Sequence, residues 1–188
     1  MMKAILGVLV GAVVYFVWGA LSWTVIPWHN AAMKSIPEER LVSDTLKVVI
    51  KEKGLYFFPS HPAGSAEDEK AWKERYTQGP VGMLVFSPAG REPMGPSMFG
   101  FAILGALLMS SLLMWIFWAS RLARAVHLIH LGAAVGLIAG LATHLAYWNW
   151  FGFPGAWTAV GIADLVIAFA LTGAALCPFV PRRENRNS

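Results

Sequence analysis

Four apolar stretches, each long enough to cross a bilayer, constrain this chain more than anything else in it. They run over residues 4–27, 97–119, 125–148 and 157–179, and a helical crossing takes about 20 apolar residues. Only the last holds a charged side chain, Asp164. Hydrocarbon offers no partner to a bare N–H or C=O, so each stretch must satisfy its own backbone, as a helix does. The composition agrees, at 56% hydrophobic and 14% charged, against the roughly 45–50% apolar content of soluble domains. The expected fold is an all-α membrane protein, residues 1–188 forming one membrane domain. It is a four-transmembrane-helix bundle with a small α+β extracytoplasmic insertion, residues 28–96, between helices one and two.

Charge sets the expected orientation. Lys3, Arg121, Arg124, Arg182, Arg183 and Arg186 fall at the N-terminus, in the connection between helices two and three, and in the C-terminal tail, opposed there only by Glu184. Basic residues near short loops stay on the cytoplasmic side, so both termini are expected inside, in a membrane of the bacterial inner type. The insertion carries equal numbers of basic and acidic residues and offers no basic field for nucleic acid. Lys3 with Ala20-Leu21-Ser22 matches the ends of a signal peptide, but the apolar run between them is too long for one and carries Tyr15, Phe16 and Trp18, so an uncleaved helix is expected. Trp23, Trp28, Trp115, Trp118, Trp148, Trp150 and Trp157 mark the helix ends, where aromatic rings with one polar edge settle at headgroup depth.

The insertion reads as structured. Ser35-Ile36-Pro37-Glu38 has the form of a capping box, and Val42, Leu46, Val49 and Ile50 recur at helical spacing up to Lys51, Lys53 and Gly54, which predicts a helix over 36–53. Residues 55–58 and 81–86 read as strands. Ser65 with Asp68 predicts a capped helix over 66–76, whose alternating acids and bases form a solvated face.

Two helix faces stand out. Gly132, Gly136 and Gly140 recur every fourth residue on helix three, so another helix can approach closely there. The approaching helix can belong to this chain, to a second copy or to another protein. Gly161 and Asp164 lie on a small-residue stripe of helix four with Ala168, Thr172 and Ala175. An ionisable group inside a bilayer is costly and normally has a partner. The turn between helices three and four is short. At about 1.5 Å per residue His144 and Asp164 differ in depth by only about 5 Å, so they are the expected intramembrane polar pair. That pair serves either as a structural hydrogen bond or as a proton-linked or ligand-contacting site.

Haem held between helices needs two deep histidines, and His29, just past helix one, is the one residue that meets His144 from elsewhere. His127 and His130 sit one turn apart near Arg124. With His29 they are weak metal candidates, since two ligands do not make a site. The single cysteine, Cys177, excludes an intrachain disulfide. No HExxH, GxSxG, Walker or CxxC motif occurs, so no catalytic residue is assigned. The leading expectation is therefore a non-catalytic accessory or assembly subunit, partnered by lipid and by other membrane subunits or its own copies. The alternatives are a small proton-linked transporter or ligand-binding protein using His144 and Asp164, and a haem- or metal-binding redox protein.

Overall fold

A computed structural model describes residues 2–122 and 124–180. Arg182, Arg183, Glu184 and Arg186, which contribute to the expected orientation, lie outside them. The chain divides into two compact units: Ser35–Pro93, and a helical unit built from the chain before and after it.

The helical unit contains four helices long and apolar enough to cross a membrane. The first, α1 (Met2–Thr24), ends three residues earlier than its apolar run. Val25 and Ile26 both donate their N–H to the Leu21 carbonyl. Pro27, which has no N–H to continue the ladder, starts the short helix α2 (Trp28–Ala32). A straight helix over 4–27 would carry His29 beyond the bundle. The Val25–Pro27 turn instead folds it back, and His29 is buried to 3% exposure. Further on, α5 (Pro96–Ser120) starts with proline at its first position and stops at Arg121, in the left-handed conformation. The third apolar stretch is a helix in three parts: α6 (Ala125–Gly140), a single π-helical segment (Leu141–Leu145), and α7 (Ala146–Phe151). Gly152, at φ +68°, closes α7, and α8 (Gly155–Leu176) follows.

Packing follows the glycines. The α6 groove is filled from within the chain by α8. A Cβ on Gly132 would lie 2.6 Å from the Phe169 carbonyl oxygen, one on Gly140 3.0 Å from the Ile162 Cα, and one on Gly136 would strike the Leu165 carbonyl. Gly7 and Gly11 do the same for α1, against Phe179 and Met114 and against Ser110 and Leu176. The Ser110 hydroxyl donates to the Val8 carbonyl, 2.8 Å. The core these contacts enclose is Leu113, Met114, Phe117, Leu128, Phe169 and Leu176.

The Ser35–Pro93 unit holds α3 (Glu39–Val49), β1 (Gly54–Phe58), α4 (Ala66–Gln78) and β2 (Gly82–Phe86). The two strands pair antiparallel, Gly54 opposite Phe86 and Phe58 opposite Gly82. Two strands alone are marginal, and α4 supplies cover. Trp72 donates to the Pro59 carbonyl at 3.1 Å, and Tyr76 stacks near Phe57. Ser65 and Asp68 form the full capping box expected of them. The other expected box does not form: Glu38 adopts the left-handed conformation with no side-chain cap. As a result α3 begins at Glu39 and ends at Val49, shorter than 36–53 at both ends. Lys51 and Lys53 lie past it, Gly54 opens β1 instead of closing the helix, and Val49 is 72% exposed.

Candidate functional site

Three segments converge on Asp164. Its carboxylate projects from near the middle of α8 toward the C-terminal end of α1. There Oδ1 accepts from the Trp18 indole N–H at 2.6 Å and from the Ser22 hydroxyl at 2.8 Å. Oδ2 lies 3.4 Å from Nε2 of His29. The same His29 nitrogen is 3.1 Å from the Ser22 hydroxyl oxygen, and the Trp28 indole donates to Ser22 through both its carbonyl and its hydroxyl at 3.1 Å.

Counting hydrogens settles the roles. Ser22 has one hydroxyl proton, and it goes to Asp164. Its contact with His29 is therefore accepting, and Nε2 carries the proton, shared between Ser22 and Asp164. His29 keeps this arrangement as a neutral ring or as a cation, because protonation adds a hydrogen only at Nδ1. The trio is not a nucleophilic relay. In such a relay the carboxylate and the hydroxyl address opposite ring nitrogens, whereas here both address Nε2, and Ser22 is fully buried.

Tryptophans expected only as interfacial markers box this imidazole. Trp23 stacks on His29 with centroids 3.9 Å and planes 9° apart. Trp28 and Trp157 meet its ring edge-on at 5.7 and 6.0 Å.

His144 enters from the other side. Residues in a π-helical turn are displaced from the α-helical register, and such turns often mark functional sites. The imidazole lies directly over the Gly161 Cα, where any Cβ would meet its ring. His144 and Asp164 thus line one cavity of about 330 Å³, together with Tyr15, Trp18, Trp23, His29 and Trp157. They do not bond each other directly, since the close partners of Asp164 come from α1 and α2. The Asp164 side chain retains 16% exposure, directed into this cavity.

His127 and His130 are exposed at the start of α6. At 1.5 Å per residue they stand roughly 20–25 Å along the helix from His144, so they do not join His29. Among the described residues, no group of three or more His, Cys, Asp or Glu side chains is disposed to hold a metal ion. Cys177 donates to the Gly173 carbonyl at 3.1 Å, beside the core.

Ser22 and the approach of His29 had no signal in helical periodicity. The available signal was the Pro27 break two residues before His29, combined with an unpaired acid at matching depth. Comparison of the chain with family models, with curated proteins and with solved structures finds no match. The functional reading therefore rests on the site itself, an acid–imidazole pair facing an aromatic cavity inside a four-helix bundle.

Proposed function

We propose that this chain is a membrane-embedded, proton-linked binding protein for a small molecule, with its site in the cavity between Asp164, His29 and His144. The observation that carries the reading is the unspent exposure of Asp164: an acid already held by Trp18, Ser22 and His29 still faces an open aromatic cavity that a second imidazole also lines. A purely structural pair would close on itself.

The bilayer supports the reading. Leu6, Leu9, Val13, Val17, Phe101, Leu108, Leu112 and Ile138 expose 43% or more of their surface, and leaving apolar area in water costs about 25 cal/mol per Å². In this reading lipid covers those faces. The basic residues Lys3, Arg121 and Arg124 lie cytoplasmic, both termini are inside, and Ser35–Pro93 faces the opposite side of a bacterial inner membrane. An acid at depth then costs about 2.5–3.5 kcal/mol on insertion scales, which the three donors offset. Histidine is the side chain whose charge changes between about pH 5 and 8, and this makes the pair a site for a proton.

Four indoles surround the pair, so tryptophan fluorescence of the lipid-reconstituted chain tests the reading. A reversible pH-dependent step is expected, abolished in His29→Gln and moved in Asp164→Asn. A flat titration in the wild type removes the reading.

A second reading, the accessory or assembly subunit, draws on a different observation. An apolar groove of about 590 Å³ runs between α1 and α5, lined by Phe16, Ala20, Met98, Ala102, Gly105 and Met109 among others. A Cβ on Gly19 or Gly105 would meet nothing within 4 Å. Close approach by a helix of another subunit, or of a second copy, suits such a surface. Extraction in mild detergent distinguishes the two readings. Co-purifying polypeptides lost in Gly105→Leu support the subunit, and a monomer in native membranes sinks it.

A further inference from the structure

We infer that the ligand of the Asp164 cavity is a small organic cation, a protonated or quaternary amine, taken up in exchange for a proton. The inference rests on the proposed binding function and names its ligand class.

The lining decides the sign of the charge. Among the described residues, the titratable groups facing the cavity are Tyr15 from α1, His29 from α2, His144 from the π segment and Asp164 from α8, with no Lys or Arg. With both imidazoles neutral, the carboxylate is the one formal charge, so an anion is repelled and a cation is attracted. The protein donors that reach Asp164 gather on Oδ1, where Trp18 and Ser22 bond at 2.6 and 2.8 Å. Among the described residues Oδ2 has His29 alone, at 3.4 Å, and keeps lone pairs for a ligand.

The walls decide the kind of cation. Hard metal ions take about six or more oxygen ligands, and this cavity offers one carboxylate and one phenol among indoles and imidazoles. Aromatic faces instead stabilise weakly hydrated organic cations, and Trp18, Trp23, Trp157 and Tyr15 supply them. The volume of about 330 Å³ sits at the small end of ligand pockets, about 300–1,000 Å³.

Exchange follows from His29. Once it is a cation beside Asp164, the carboxylate is neutralised and an incoming positive charge meets repulsion. Binding the cation therefore drives the proton from the imidazole to solvent, one positive charge entering as one leaves. Protonated His144 opposes the ligand in the same way.

The test is calorimetry on the full chain in lipid nanodiscs, with benzyltrimethylammonium and its uncharged carbon isostere neopentylbenzene. Titrations at about pH 8 and about pH 5, each in buffers of different ionisation heat, count the protons released. The expected result is tight binding of the cation at the higher pH with little proton release, and weaker binding at the lower pH with close to one proton released. Affinity falls by roughly tenfold per pH unit through the titration, and the isostere binds more than about tenfold more weakly. Asp164→Asn loses the cation. So does Trp157→Ala, which removes an aromatic wall of the cavity and leaves the hydrogen bonds of Asp164 in place. Equal binding of both probes without proton release overturns the cation inference and leaves a binding cavity. Binding of neither, with the tryptophan pH step still present, overturns the inference but keeps the proton-linked site. Binding of neither with no pH step overturns both.

Discussion

The α6–α8 interface and the α1–α2–α8 junction both use α8, and they hold by different physics. At the first, Gly132, Gly136 and Gly140 bring the α6 backbone directly against the α8 backbone at Phe169, Leu165 and Ile162. Its strength is dispersion from close approach, which has no titratable part and no tolerance for added volume. At the second, Trp18, Ser22 and His29 converge on one carboxylate. Its strength is electrostatic, and in the proposed function it changes with protonation. The comparison teaches that the same helix can be rigid on one face and responsive on another. The cavity lies where the responsive face opens, with Gly161 giving His144 its place.

The sharpest way to break the comparison is to add volume to the rigid face. Gly136→Leu puts a side chain into the Leu165 carbonyl. Overpacking costs about 1–3 kcal/mol or more, and here backbone is in the way, so loss of the monodisperse bundle in size-exclusion chromatography is expected. Asp164→Asn comes second. Intramembrane hydrogen bonds average about 0.6 kcal/mol each, so weakening three contacts lowers stability by about 1–2 kcal/mol in denaturant titration while the bundle still forms. If Asp164→Asn were as damaging as Gly136→Leu, the junction would be the scaffold and the division would fail. A third variant sharpens it. Gly105→Leu, where a Cβ meets open space, is expected to stay within about 0.5 kcal/mol for the isolated chain, read as an unchanged midpoint in the same titration.

How far these two faces were legible differs for physical reasons. Close approach leaves a periodic trace, and glycine every fourth residue needs no knowledge of loops. The polar junction leaves none, because its partners come from two elements joined by a turn. Counting depth along straight helices set His144 and Asp164 at similar height, and the two line one cavity. It could not foresee that the Val25–Pro27 turn returns His29 to the bundle, nor that a π segment sets the direction of His144. The same limit appears in Ser35–Pro93. Ser65 and Asp68 cap α4 because nothing competes for them, whereas Ser35 fails to cap α3 because Glu38 takes a left-handed backbone.

That cap supplies the smallest expected effect, and it belongs to charge chemistry outside the bundle. The Ser65 backbone N–H, and then its hydroxyl, donate to Asp68 and hold its carboxyl below the usual range. A carboxyl depressed in the folded state stabilises α4 above the unfolded value, about pH 3.9, and that contribution disappears as the pH falls through the folded value. Asp68→Asn should therefore show slightly less helical circular dichroism than the wild type near neutrality and lack the wild type's acid-side decline.

The central claim is that His29 and Asp164 form one proton-responsive unit at the wall of the cavity. Nitrogen-15 NMR of the histidine-labelled chain in lipid addresses it most directly, with five histidines assigned by single replacement. The account predicts a His29 ring signal with its proton kept on Nε2 and a chemical shift that changes when Asp164 becomes Asn. A His29 signal identical in the wild type and Asp164→Asn at every pH would contradict it.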